Sequence, residues 1–322
     1  AQRARLLPRR VYDRFWERLD DRELGSPHPG HLTPADLVHA HLGELLRDMD
    51  QATEAALIAA PGHFNARQLG ILLGVMEAAG IPVKGMVDAA VASVATQPPS
   101  EGSIIHVDIL LHRLVVTRLD VTHEVVLQGI ESDDGVGLMA FRDAWARHIA
   151  TRFIRATRFD PLKLADTEQE LFDRLPEVLE SLVGAPEIDV AMSAGGRNHR
   201  VEITRSGLIH ATSELLQSVV RCATDAADGP LGGVVLTERA GGIPGLADGL
   251  SAAGGSPLPS LARGAAASGA LRFASQLVRS SGDVVLTTRL GVTESPNSVR
   301  EASPTPDGVP VSRLSLIHIS EP

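Results

Sequence analysis

Two carboxylates stand out by position. Asp88 closes the apolar stretch Val83–Val87, and Asp108 closes Ile104–Val107. An acid at the end of a buried strand either caps the free N–H groups of the segment that follows or faces a cleft in which its charge can act. No other grouping competes. The twelve histidines are scattered, and His39 and His41, two apart in a helical stretch, cannot share a face. Cys222 is the only cysteine, so it has neither a disulfide partner nor a companion thiolate for a metal. The sequence holds no H-E-x-x-H, C-x-x-C, Walker A loop, G-x-S-x-G elbow or complete G-x-G-x-x-G.

The elements that must position the two acids are legible from apolar spacing. Ala55–Ala60 is an unbroken apolar run ended by Pro61. Asn65 with Gln68 three residues on makes a capping box, and Leu69, Leu72, Leu73, Met76 and Ala79 share one face of the helix it starts. Gly80 suits that helix's C-terminus. A second strand, Val83–Val87, leads through Asp88 to a short helix over Ala89–Ala95, which completes a strand–helix–strand–helix unit of a parallel sheet.

Upstream, Thr33-Pro34-Ala35-Asp36 starts a helix that runs to about Met49, with Leu37, Val38, Leu42, Leu45, Leu46 and Met49 on its buried stripe. Tyr12, Phe15 and Trp16 fall in a predicted short helix around Val11–Leu19 that docks onto a core. Downstream, Ile104–Asp108, Leu114–Leu119 and Glu124–Ile130 read as a three-strand meander opening a second lobe. Helices are expected over 138–157 and from about Asp166 to Leu182. Glu187–Met192 and Arg200–Ile203 then pair as a hairpin turning at Gly195-Gly196. A helix carrying Leu208, Leu215, Leu216 and Val219 precedes a buried strand over 232–236, a helix after Pro244, and a Gly/Ala-rich helix over Ala265–Leu277.

From Leu32 to Leu277 this order resembles the nucleotide-binding domain of DnaK-type heat-shock chaperones. Pro61, Phe64-Asn65, Gln68, Gly80, Asp88 and the Ala-rich helix match segments that read V-P-A-Y-F-N, A-G and N-E-P-T-A-A-A in that family. The L-T-P-acid helix before them matches as well. The resemblance implies the actin-like ATPase fold: α/β, two lobes, mixed sheets flanked by helices, with ATP and Mg²⁺ as cofactors. It places Asp108 near the metal and Asp88 near the attacking water, the catalytic pair if ATPase activity is retained. It places Gly135 and Gly137 in a cofactor-binding turn, and Gly241 and Gly242 in the adenosine turn.

The chain departs from the family where phosphates are held. Leu110, Leu111 and His112 follow Asp108 where D-L-G-G-G-T has glycines, Glu238 and Arg239 replace a G-G pair, and the first hairpin, G-I-D-L-G-T-T, appears nowhere. Those losses imply a degenerate nucleotide site in a non-catalytic binding or scaffold module with a protein partner. The alternatives are a chaperone-like ATP hydrolase whose first hairpin lies outside this sequence, and a pilus- or division-type assembly factor of the same superfamily.

With 322 residues and 43% apolar content, the chain supports one large core or two medium ones. A net charge of −10 argues against a nucleic-acid or anionic-membrane surface, no apolar run reaches the length of a membrane span, and a lone cysteine suits the cytoplasm. The expected organisation is an N-terminal segment over 1–31, the rest of a first lobe over 32–100, a second lobe over 101–279 and a Ser/Pro/Gly-rich linker or disordered tail over 280–313. Residues 314–322, LSLIHISEP, read like the translation of a transposase sequencing adapter.

Overall fold

The computed structural model describes residues 5–8, 11–25, 31–47, 55–99, 101–278, 283–292 and, as backbone, 314–318. The elements in chain order are α1 (Pro34–Arg47), β1 (Ala55–Ala60), α2 (Ala66–Ala78), β2 (Val83–Asp88), α3 (Ala89–Thr96), β3 (Gly102–Ile109), β4 (Leu114–Val121) and β5 (Glu124–Asp133). Then come α4 (Leu138–Thr157), α5 (Ala165–Gly184), β6 (Glu187–Ala194), β7 (Arg197–Thr204), α6 (Arg205–Ala211), α7 (Ser213–Ala226), β8 (Gly233–Leu236), α8 (Glu238–Gly241) and α9 (Leu246–Ala252). The chain closes with β9 (Ser256–Pro257), α10 (Ala265–Arg272), α11 (Ala274–Leu277), β10 (Leu286–Thr287), β11 (Arg289–Gly291) and β12 (Leu314–His318). It is an α/β protein with helices on mixed sheets.

One sheet runs β10-β2-β1-β12, every pair parallel. β1 is buried along its whole length, and its alternate residues feed two cores. Ala56, Ile58 and Ala60 pack with Val38, Leu42, Leu72 and Met76 of α1 and α2, while Leu57 and Ala59 pack with α3 and α10. Burial on both faces is why the strand reads as an unbroken apolar run.

The other sheet runs β11-β5-β4-β3-β8-β9. Here β3, β4 and β5 form the expected antiparallel meander, β8 joins β3 in parallel, and β9 joins β8 in parallel. Ile105, Val107 and Ile109 of β3 face the largest core, with α4, α5 and α7. The strand's period of two turns Ile104, His106 and Asp108 the other way, toward α3 and α10.

In each sheet a strand, a helical connection, a parallel neighbouring strand and a helix follow in order: β1, α2, β2 and α3 in one, and β8, α8 with α9, β9 and α10 in the other. The two closing helices then pack on each other between the sheets. Their Ala-rich faces meet so closely that a Cβ on Gly269 would lie 2.0 Å from the Ala92 carbonyl oxygen, so only glycine fits there.

Several expectations are corrected. Residues 11–19 form no helix, only a turn over 15–18, although Trp16 is 2% exposed and docks as expected. The helix expected through Val219 breaks at Thr212, whose hydroxyl donates back to the Leu208 carbonyl. The Ala265–Leu277 helix is interrupted at Phe273. Residues 286–291, read as linker, instead bridge the sheets: β10 pairs with β2, β11 pairs with β5, and Leu290 is buried. The remainder of the tail over 293–313 lies outside the described residues, as does Met49, where the sequence placed the end of the first helix. Leu314–His318, set aside on sequence grounds, lies parallel to β1. A short apolar segment meeting an edge with unmade backbone hydrogen bonds can pair there whatever its origin. Among the described residues no helix is long and apolar enough to cross a membrane.

Candidate functional site

Because Asp108 falls on the inward face of β3, it opens into a cleft of about 180 Å³ between the two sheets. Ala59 and Pro61 form one wall, with Ala89 and Ser93 of α3, and the opposite wall is Thr237–Arg239 and Leu261–Ala266. Asp108 Oδ1 accepts from the Thr237 hydroxyl at 3.0 Å, and the Thr237 amide donates to the Val107 carbonyl at 3.1 Å. Arg239 Nη1 donates to the Ile109 carbonyl at 3.2 Å. His106 also lines the cleft, 3% exposed, with neither ring nitrogen partnered. Burial pushes its pKa down, opposed by the charge of Asp108.

Asp88 is not among the cleft-lining residues. It is the N-cap of α3, its Oδ1 accepting from the amides of Ala90 at 2.9 Å and Val91 at 3.1 Å. Its Oδ2 has no partner and faces Gly62, where a Cβ would lie 3.1 Å away. Burial raises its pKa to about 6, against the two amide hydrogen bonds. The two acids of the sequence reading therefore occupy different surroundings, one capping a helix and one lining a cleft.

The glycines serve packing. Gly137 is the N-cap of α4 without a side-chain cap, and a Cβ there would lie 2.4 Å from the His112 carbonyl carbon. The turn Leu110–Arg113 can thus press against the start of α4. The Leu138 amide donates to the Leu110 carbonyl and the Met139 amide to the Leu111 carbonyl, both at 2.9 Å. The Gly135 amide donates to Asp133 Oδ1 at 2.8 Å. Gly241 ends α8, where a Cβ would collide with the Ser260 side chain, and Gly242 is that helix's C-cap. None of the four lines the cleft.

The turn is pinned from outside by the N-terminal segment. Arg113 Nη2 lies 3.2 Å from Glu17 Oε1, and Glu17 is 4% exposed. His112 Nε2 lies 3.1 Å from Asp13 Oδ2, a contact that holds Asp13 below the usual carboxylate range. Trp16 Nε1 donates to His41 Nδ1 at 2.9 Å, which joins the same segment to α1. His63, in the loop after β1, is largely buried with both ring nitrogens unpartnered. Burial, then the nearby Arg113 charge, lowers its pKa to about 4.

Sequence reasoning missed His106, Arg263 and the Glu17–Arg113 pair. His106 alternates with apolar neighbours and looks like any strand residue, and Glu17 and Arg113 are 96 residues apart. Arg239 was visible only as a misfit. No protein-family model matches the chain, and no curated protein matches it.

Proposed function

We propose that this chain is a non-catalytic binding or scaffold module on an actin-like, DnaK-type frame, with a cleft that no longer serves ATP. One observation carries the reading. In such a frame phosphates are held by successive backbone N–H groups. Here the Leu138 and Met139 amides, at the start of the 20-residue α4, are consumed by the carbonyls of Leu110 and Leu111. The cleft volume of about 180 Å³ adds to this, because sites for drug-sized ligands run to roughly 300–1,000 Å³. The residues present do not fit Mg²⁺–ATP. The repeated strand–helix plan and the meander ahead of β8 support the frame.

Losing several charge-assisted hydrogen bonds, at roughly 1.5–3 kcal/mol each, lowers nucleotide affinity by orders of magnitude. Calorimetric titration of ATP–Mg²⁺ into the full chain is the test, with no saturable heat expected. Micromolar binding that Asp108→Ala abolishes would instead promote the ATP hydrolase.

The open outer edge of β1 allows a second reading, an assembly factor that takes a strand from another polypeptide. That edge accepts a short strand in parallel register over Ala55–Ala59. Truncation after Val292 exposes that edge. Concentration-dependent self-association of the truncated chain in sedimentation would support assembly, and a monomer at every concentration would count against it.

A further inference from the structure

The cleft lining carries unspent recognition chemistry of both signs. α10 begins at Gly264 with no side-chain cap, and among the described residues the amides of Ala266 and Ala267 find no acceptor. A helix start alone signifies little, but Arg263 and Arg239 stand beside this one and neither is in an ion pair among the described residues. Arg239 spends one N–H on Ile109, which orients its guanidinium and leaves further donors free. The same lining carries two acids, Asp108 and Glu238. Asp108 Oδ1 is engaged by Thr237, and its other oxygen can accept.

His106 is the independent sign that something binds. It is 97% buried, it lines the cleft, and both of its ring nitrogens lack partners. A neutral imidazole carries one donor and one acceptor, and leaving both unmet in a buried place is costly enough to need an explanation. A ligand that accepts from Arg239, Arg263 and the α10 amides while donating to the acids would meet those groups, and could reach the imidazole as well. A simple anion would face Asp108 and Glu238 with nothing to offer them.

We propose that the cleft binds a small hydroxy or amino acid, its carboxylate held by Arg239, Arg263 and the start of α10 and its hydroxyl or ammonium donor directed to Asp108 and Glu238. The volume of about 180 Å³ suits an acid of a few carbons. The inference rests on the reading that the cleft no longer serves ATP, and it supplies the ligand class for that same site.

The test is an NMR titration of the full chain with L-lactate, L-alanine and propionate, the last having the same carbon skeleton as lactate without the donor. Lactate or alanine should shift the His106 ring and the Ala266 and Ala267 amides saturably, and which of the two binds more tightly identifies the donor. Propionate should bind at least about tenfold more weakly, and Arg263→Gln, a change at an exposed side chain, should weaken the acid by about tenfold or more. Lactate and alanine both failing to shift these signals, propionate binding equally well, or Arg263→Gln leaving affinity unchanged would each overturn the proposal. An ATP–Mg²⁺ arm separates the two claims: micromolar ATP binding refutes the underlying reading, whereas silence from both ATP and the acids refutes only the ligand class.

Discussion

Replacing Asp88 with asparagine should remove a pH-dependent burden from the fold. The carboxyl is fully buried, one oxygen caps α3 and the other meets nothing. Its pKa rises from 3.8 to about 6, so folding favours the protonated acid. The sign follows: the group contributes no penalty well below pH 3.8, costs progressively more as pH rises toward 6, and costs a constant amount above that. A difference of about two pKa units corresponds to about 3 kcal/mol, of which about 2 kcal/mol falls between pH 4.5 and 7.5.

Asp88→Asn keeps an oxygen for the Ala90 and Val91 amides but sets an NH₂ where Oδ2 lies unpartnered, at a cost of about 1–3 kcal/mol. The absolute change at neutral pH is therefore small. The trend is the observable. Urea unfolding of both proteins between pH 4.5 and 7.5 should show the variant gaining about 2 kcal/mol on the parent as pH rises. A flat difference would refute the buried, strained carboxylate. A difference of opposite slope would mean that Asp88 is ionised and paired, as a carboxylate holding a metal would be.

His63, with its pKa lowered to about 4, is favoured neutral by the fold. Its share of stability is present above pH 6.5 and lost as pH falls toward 4, and its ring resonances should not titrate above about pH 5 in NMR. Arg113→Met should lower stability by about 3 kcal/mol, because Glu17 is left buried with only Arg14 at 3.7 Å. Adding Glu17→Gln should recover part of that loss in thermal melts. Gly137→Ala should cost about 1–3 kcal/mol or more in urea unfolding, since its methyl must displace the His112 backbone. An unchanged midpoint would show that the turn is not pressed on α4.

What the sequence by itself determined is the local order of elements. The capping box at Asn65 and Gln68, the unbroken run Ala55–Ala60 and the alternation through β3 and β4 each record a short-range physical need, met by residues within one turn or one strand. The same holds for Asp88, whose helix cap involves only the next three residues. Tertiary structure decided the rest, because it depends on residues far apart in the chain. It placed Asp108 beside Thr237, 129 positions away, and brought Arg263 and the start of α10 into the lining of the same cleft. It set Gly137 against the His112 backbone and engaged the Leu138 and Met139 amides with the Leu110 and Leu111 carbonyls. It also turned residues 286–291 from tail into a bridge, since two open strand edges offered hydrogen bonds that no local composition reveals.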